Sequence, residues 1–402
     1  MTKSFIRPIG LLALSSALLL SGCQSDPADP VEELRRPTLE LVPYANSLVD
    51  VQPWSASRGS SAVSSPDGWR VTRADYEHLP SGYVPYNDLY PAPTPNHSSI
   101  GVFMTPESTS SVGNFIYLEN IDGISTWKSN VAITAGTDYY VYGFMPREDA
   151  DNATITMLDG ATDWSAGAKL SISGFNTLTA ADVCAVVGVR KAAEGEKIAA
   201  PATDVPLGSF SYRGDAGKNY AFVLLKHLYA GLHFKAHIDA EYYSLRTIRV
   251  TGMALTAEGI NNKIDLSLTI TANSTNTDPL TSVSYAPSAS STMTGSTVTL
   301  FPYSGGPESF ELPVTTPESF VGCFVPGISG SFVLTTTFDV YDKKGNLTRK
   351  GCVAENKFTS LMLAELSTLG AGEIYTIDLL VKPTYLYVLS HPDLDNPSIT
   401  LN

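Results

Sequence analysis

The sequence is poor in charged residues, in cysteine and in long hydrophobic runs. Only 16% of the 402 residues are charged, and Asp and Glu outnumber Lys and Arg by 40 to 26. A protein with this excess of negative charge repels nucleic acids and anionic lipid headgroups, so neither is an expected partner. The apolar run over residues 9–20 is shorter than the roughly 20 residues that a membrane-crossing helix needs.

Catalytic and metal-binding motifs are also missing. The sequence has no GxSxG, HExxH, Walker or GxGxxG motif and no CxxC pair. We therefore expect no enzymatic activity, no cofactor and no metal site. Of the clustered histidines His227, His233 and His237, the last two share one face of a predicted strand, which favours a polar row facing solvent. A surface hydrolase stays an alternative, because a glycosidase needs two carboxylates but no motif.

The three cysteines after residue 23 have different expected roles. Cys184 lies in an apolar run and is predicted to be a small buried side chain. Cys323 and Cys352 could form a disulfide in an oxidising compartment or stay as free thiols. The sequence alone does not place their Cα atoms, so both alternatives remain open.

The chain begins with the features of an exported protein. Lys3 and Arg7 precede the apolar run, which has the length of a signal-peptide core and ends in small residues before Cys23. This ending resembles the lipid-acceptor site of a bacterial lipoprotein. We expect removal of residues 1–22 and anchoring to the membrane through acyl chains on Cys23. An ordinary signal peptide with a chance cysteine is the alternative.

Composition and turn spacing predict an all-β fold. Ser, Thr, Gly, Tyr and Val are frequent, and short apolar segments recur between turn residues, as in β-sandwiches. The chain is too long for one typical core, so two tandem β-sandwich domains are expected. The predicted parts are a signal peptide (1–22), a tether with an early strand (23–58), an N-terminal domain (59–215) and a C-terminal domain (216–402) that ends in a strand-rich segment at about 383–402.

Local patterns predict individual strands, a turn and a helix. Alternating apolar residues predict strands at residues 264–272 and 332–340. Residues 342–346 predict the turn of a hairpin after the second of these strands. The one helix-like segment is at residues 358–366.

Both ends of the chain hold strand-forming sequence. Near the start, residues 38–51 predict two short strands with an interruption at Pro43. At the end, residues 384–389 predict a strand, residues 391–397 a turn, and residues 398–401 a final short strand. Terminal strands must pair with their own sheet or with a neighbouring molecule.

In this combination the chain resembles the fimbrillins, the subunits of type V pili in Bacteroides-like bacteria. The residues that carry the resemblance are Leu20–Cys23, the early strand, Arg58, Ile100–Phe103, Asp138–Pro146, Phe222–Leu228 and Val381–Leu389. The resemblance implies two transthyretin-like β-sandwiches, the first containing Ile100–Phe103 and Asp138–Pro146, the second opening at Phe222–Leu228. It also implies a location at the outer membrane and cell surface, as a stalk, accessory or tip subunit of a fimbria.

The resemblance further implies how the subunit assembles. A trypsin-like surface protease cuts after an arginine, for which Arg58-Gly59 is the best match, and the early strand is discarded. The open groove is then filled by C-terminal strands of another pilin subunit, of the same or a related kind. The donor residues implied here are Tyr385, Tyr387, Leu389, Ile399 and Leu401.

Other interpretations remain open at this stage. Arg35-Arg36 competes as a cleavage site, but Pro37 disfavours a cut after Arg36, and a cut after Arg35 leaves the early strand attached. Arg70 and Arg73 are weaker candidates, because a strand or folded loop is expected to begin there. Arg58 could instead be an ordinary soluble loop residue. A proline-rich excursion over residues 81–99 could bind a glycan or host protein on a monomeric surface lipoprotein, or pack onto its own domain. Its aromatic residues are Tyr83, Tyr86 and Tyr90.

Overall fold

The computed structural model describes residues 38–46, 49–50, 76–77, 83–85, 99–119, 127–129, 136–190, 198–199, 207–212, 218–272, 278–303, 306–327, 330–359, 367–384 and 393–401. These residues form an all-β protein, as the sequence predicts, with one short α-helix among them. No helix within these ranges has the length and apolar character needed to cross a membrane.

The described strands number 26, and most are short. In chain order they are β1 Thr38–Asn46, β2 Val49–Asp50, β3 Tyr76–Glu77, β4 Tyr83–Pro85, β5 Ser99–Pro106, β6 Asn114–Glu119, β7 Trp127–Ser129, β8 Thr137–Met145, β9 Asn152–Met157, β10 Gly167–Asn176, β11 Leu178–Thr179, β12 Cys184–Arg190, β13 Ile198–Ala199, β14 Phe210–Tyr212, β15 Lys218–His227, β16 Ala230–Ile238, β17 Arg246–Glu258, β18 Lys263–Thr271, β19 Leu280–Pro287, β20 Ser296–Phe301, β21 Phe310–Glu311, β22 Glu318–Phe324, β23 Ser331–Asp342, β24 Leu347–Thr359, β25 Glu373–Thr384 and β26 Asp393–Leu401. The helix, α1, spans Ala240–Leu245, and two 3-10 turns lie at Arg147–Asp149 and Trp164–Ala166.

The largest sheet, sheet 1, has the order β12-β15-β1-β7-β6-β5-β8-β14, with β4 beside β1. β12 also pairs with β8, so the strands from β12 to β8 close into a ring. Both faces of this sheet are buried, and β8 shows it most clearly. Tyr140, Tyr142 and Phe144 contribute to one core, whereas Tyr139 and Val141 contribute to another on the opposite face.

Sheet 2 packs against one face of sheet 1 to form the first sandwich. Its antiparallel order is β19-β18-β10-β9. In β18 every second residue from 264 to 270 is buried, which confirms the predicted alternation. The Tyr142 hydroxyl donates to the Trp164 carbonyl oxygen at 3.0 Å and so ties β8 to the turn before β10.

Sheets 3 and 4 form the second sandwich. Sheet 3 has the order β11-β22-β16-β25-β2, with β26 also beside β25, and sheet 4 has the order β20-β17-β23-β24, with β21 beside β17. Their shared core includes Phe234 and Leu334. The predicted hairpin joins β23 to β24, and at its turn Asp342 Oδ1 accepts from the backbone N–H groups of Lys344 and Asn346.

β15 lies in the first sandwich, although the sequence analysis assigns residues from 216 onward to the second domain. It sits between β12 and β1 in sheet 1. Phe222 and Leu224 face the core shared with sheet 2, while Ala221 and Val223 face the opposite side. Such an apolar run, buried on both faces, fits an interior strand of either sandwich, so its sequence alone does not identify its sheet. The β18–β19 hairpin also lies in the first sandwich.

The predicted helix at residues 358–366 is wrong where the structure describes it, because Phe358 lies in β24 and residues 360–366 are outside the described ranges. Within the described ranges the α-helix is α1. Asp239 caps its start, since its Oδ1 accepts from the backbone N–H groups of Glu241 and Tyr242 at 2.9 and 3.0 Å. Six residues are too few to show a helical apolar period, which is why the pattern missed it.

Candidate functional site

The candidate site is the position of β1, an interior strand of sheet 1. One edge of β1 runs parallel to β15 from Thr38 to Tyr44. The other edge pairs with β7 over residues 39–41 and with β4 over residues 44–46. The segment that precedes Arg58 therefore supplies a strand with paired neighbours on both sides.

β1 continues through Pro43, so the predicted interruption at that residue is wrong. Pro43 is in register with Val223 of β15. Along the opposite edge, no described residue of β7 or β4 is in register with Val42 or Pro43, because the neighbour changes there from β7 to β4. Proline has no N–H to donate, and this change of neighbour accommodates it inside an interior strand.

Apolar side chains lie beneath β1. Ala45 is 0% exposed and belongs to a core cluster with Ile100, Val102, Met104 and Ile116. Removal of β1 would therefore uncover apolar surface as well as the backbone groups of its neighbours. Without β1, its position would be a groove of the kind that accepts an added strand, with main-chain partners at its sides and apolar contacts below.

The segment before Arg58 also reaches the second sandwich. β2 pairs in parallel with β25 at Glu373 and Ile374. β26 pairs antiparallel with the same strand over residues 379–384, and the other edge of β25 is occupied by β16. The early segment and the C-terminal strand thus occupy adjoining stretches of one strand edge.

β26 begins inside the region predicted as a turn. It starts at Asp393, whereas the turn was predicted over residues 391–397. The register with β25 shifts so that residues 394–397 have no partner in the ladder between Asp393 and Ser398. Two of the predicted donor residues, Ile399 and Leu401, are in register with β25 of the same chain.

The other predicted site residues fall almost entirely outside the described ranges. Tyr83 is the first residue of β4 and is in register with Asn46 of β1. The residues outside the described ranges are Cys23, Arg58, Gly59, Tyr86, Tyr90, Tyr385, Tyr387 and Leu389.

His233 is buried, so the prediction of a solvent-facing histidine row is wrong at this residue. Its side chain is 3% exposed, and its Nδ1 lies 3.2 Å from Thr376 Oγ1 on β25. The strand that carries His233 pairs with β22. Two β22 residues, Val321 and Cys323, pack in the core of the first sandwich. The first sandwich therefore covers this part of sheet 3. Burial, with a smaller contribution from Lys235, lowers the pKa of His233 to about 4.

A second cluster joins Asp182, Cys184 and His227. His227 Nδ1 lies 2.7 Å from Asp182 Oδ2, and Cys184 Sγ lies 3.2 Å from that oxygen and 3.5 Å from the same nitrogen. Cys184 is buried, as predicted. Burial, followed by the charge of Asp182, raises the pKa of its thiol well above the ordinary value. His227 reaches the other two residues because β12 pairs with β15 in this register. The spacing of the three residues in the sequence does not predict that they meet.

The other two cysteines are not joined to each other. Cys323 lies in β22 of sheet 3, and Cys352 lies in β24 of sheet 4. Neither forms a disulfide, so of the two alternatives left by the sequence the structure has the reduced thiols.

Comparison with known proteins gives distant structural neighbours. No protein-family model matches the sequence, and no curated protein matches it. A candidate cell adhesion protein from Bacteroides fragilis is 11% identical, with 91% of this chain and 97% of that chain covered and a TM-score of 0.35. A fimbrial protein from Bacteroides vulgatus is 12% identical, with 75% and 91% covered and a TM-score of 0.28. A candidate polysaccharide binding protein from Bacteroides thetaiotaomicron is 8% identical, with 91% and 98% covered and a TM-score of 0.26. All three proteins are distant from this chain in both sequence and structure.

Proposed function

We propose that this protein is a structural subunit of a cell-surface fimbria that polymerises by strand exchange. The observation that supports this most is the position of β1, which lies inside sheet 1 yet belongs to the segment before Arg58. Export as a lipoprotein acylated on Cys23 and cleavage after Arg58 by a trypsin-like surface protease complete the proposal. The cut would remove β1, and its loss would expose two unpaired strand edges in the first sandwich.

Loss of β1 leaves a binding site of defined chemistry. β15 on one side, and β7 and β4 on the other, would present unpaired N–H and C=O groups to solvent. Unpaired strand edges beside an apolar core are a template for an added strand, whose main chain supplies affinity and whose alternating side chains supply register. Loss of β2 in the same cut frees the start of the β25 edge as well.

The C-terminal strand has the properties expected of the donor. β26 and β1 both contain nine residues. Among the described strands β26 pairs only with β25, and its ladder is shortened by the register shift. Transfer of β26 into the β1 position of another subunit is a head-to-tail contact that does not close on itself, so repetition produces a fibre.

The processing step provides the direct test. Protein recovered from the cell surface is analysed by N-terminal sequencing and intact mass, for the wild type, Arg58→Ala and the control Arg70→Ala. We expect the wild type and the control to begin at Gly59 and to form fibres, and Arg58→Ala to keep acylated Cys23 and remain monomeric. Normal processing and assembly of Arg58→Ala would contradict the proposal.

One other outcome would favour a different function. A wild-type protein that keeps acylated Cys23 and residues 23–58 would be a tethered monomer, as expected for a lipoprotein that binds a glycan or host protein. Saturable ligand binding that is lost on replacement of Tyr83, Tyr86 and Tyr90 by alanine would then support that function.

A further inference from the structure

The cluster of Asp182, Cys184 and His227 combines three kinds of ligand atom in a buried position. A carboxylate oxygen, a thiol sulfur and an imidazole nitrogen lie within 4.8 Å of one another. Asp182 is 2% exposed and Cys184 is 0% exposed. The Asp182 carboxylate, which is withdrawn from water, is paired with the His227 imidazole at 2.7 Å, and a cation bound between these two groups would satisfy it equally well.

Backbone geometry fixes the cluster in place. Cys184 and His227 are direct cross-strand partners at the ends of β12 and β15. Asp182 lies two residues before Cys184, just ahead of β12. The residue before β25, Gly372, closes the site from the second sandwich, since a Cβ there would lie 3.2 Å from His227 Cδ2. Gly372 has φ +80 and donates its backbone N–H to the Tyr229 carbonyl oxygen at 2.8 Å.

The arrangement does not suit a nucleophilic cysteine. In a Cys-His-Asp relay the thiol and the carboxylate bind opposite nitrogens of the imidazole, so that the ring passes a proton between them. In this protein both groups lie against the same atom, His227 Nδ1. The oxygen, the sulfur and the nitrogen instead lie at the corners of a triangle with sides of 2.7, 3.2 and 3.5 Å, which one metal ion can bridge.

We propose that Asp182, Cys184 and His227 bind a zinc ion at the junction of the two sandwiches. Zinc accepts this mixture of sulfur, nitrogen and oxygen, whereas calcium and magnesium prefer oxygen ligands alone. Zn²⁺ replaces the thiol proton, which is released to solvent. The proton on His227 Nδ1, which faces Asp182, is also displaced, so that the neutral ring keeps its one proton on Nε2 and binds the metal through Nδ1. The thiolate, the imidazole and the carboxylate then share the metal.

The observed spacing is close to what a zinc ion requires. Bond lengths of about 2.0–2.3 Å in a tetrahedral site place neighbouring ligand atoms about 3.3–3.7 Å apart. The two distances from Cys184 Sγ, 3.2 and 3.5 Å, are already near this range. The 2.7 Å hydrogen bond between Asp182 and His227 is the contact that must open, and it does so by a side-chain movement of less than about 1 Å.

The cluster supplies three ligands, so the fourth position of a tetrahedral zinc ion would be taken by a water molecule, and the location of the ion indicates what it would hold together. The cluster joins the end of β15 and the start of β12 in the first sandwich, and Gly372 brings the start of β25 against the imidazole. A metal held there would fasten the junction, because binding to the folded state alone stabilises that state. This inference does not depend on the proposed fibre, since it concerns one subunit by itself.

Metal content and spectroscopy test the site. Untagged full-length protein freed of metal is dialysed against Zn²⁺, and separately against Co²⁺, with Ca²⁺ as the control ion. We expect one Zn²⁺ per chain, a rise in Tm, and a thiolate-to-cobalt charge-transfer band with Co²⁺. Cys184→Ser should abolish that band and weaken zinc affinity at least about 10-fold, whereas Cys352→Ser, which changes a thiol in β24, should preserve both.

The wild-type protein alone can overturn the proposal, even if the variants fold poorly. Absence of the charge-transfer band in folded wild-type protein, or stoichiometric zinc binding that Cys184→Ser and His227→Gln leave unchanged, would do so. Asp182→Asn gives a further check: because an amide is a weaker ligand than a carboxylate, it should lower zinc affinity while keeping the charge-transfer band of Cys184.

Discussion

The two terminal strands of the described chain have the same length but very different surroundings. β1 and β26 each contain nine residues. β1 has neighbours along both edges and a fully buried alanine, whereas the described pairing of β26 is with β25 alone. A strand held on two sides contributes much of its sheet's stability, while a strand held on one side can leave at small cost. The contrast separates a strand inside a sheet from a strand that is paired along one edge in the described part of the chain.

The largest expected effect comes from proline substitution in the two strands. Leu41→Pro falls where β1 pairs with both β15 and β7, and it should lower the free energy of unfolding by about 3 kcal/mol or more. The matched variant Ile399→Pro in β26, which pairs with β25, should cost only about 1 kcal/mol. Urea denaturation of the uncleaved monomer measures both. Equal losses would show that the two strands are equally important to the fold.

Acid should weaken the sheet that carries β26. His233 on β16 contacts Thr376 on β25, and its pKa of about 4 lies below the ordinary 6.5 because the folded protein favours the neutral ring. This contribution is intact above pH 6.5 and is lost as the pH falls towards 4, by up to about 3 kcal/mol at about 1.4 kcal/mol per unit. His233→Gln should remove that part of the pH dependence of unfolding.

The matched control is His237→Gln, four residues along the same strand, where the side chain is partly exposed. If the stability of His233→Gln falls between pH 6.5 and 4 as steeply as that of the wild type and of this control, His233 does not account for the acid sensitivity. Hydrogen exchange at both pH values would show whether opening is concentrated in β16 and β25.

Deletion of residues 393–402 should lower stability less than Leu41→Pro does and should abolish assembly. Without β26 the monomer loses pairing along one edge only, so we expect an unchanged fold by circular dichroism and a loss of stability that is at least that of Ile399→Pro but below that of Leu41→Pro. The proposed function requires that the truncated subunit accept a donor strand but supply none. Fibres made from the truncated subunit alone, seen by electron microscopy, would exclude β26 as the donor.

The fold class and several strands could be predicted from the sequence because their patterns are local. The apolar alternation of β18 and the turn between β23 and β24 each depend on neighbouring residues, and both predictions are confirmed. The sheet to which β15 belongs could not be predicted, because both of its faces are apolar. The burial of His233 depends on a layer that comes from a distant part of the chain.

At the candidate site, too, local strands were predictable and the contacts between distant strands were not. The sequence predicts strands at both ends, but not that β1 lies between β15 and β7, nor that β2 and β26 adjoin on β25. The cluster around Cys184 was missed because Asp182 and His227 are brought together by strand register alone. Register between distant strands has no signature in the sequence of either one.

The parallel alignment of β1 with β15 also bears on how the assembled subunits would carry load. In the structure seven consecutive residues of β1, from Thr38 to Tyr44, are in register with β15. Tension along such a pair of strands shears the whole ladder at once, whereas tension across it would separate the bonds one after another. A donor strand seated in the place of β1 and pulled along its own axis would therefore resist extraction collectively, which is the mechanical property that a filament under flow requires.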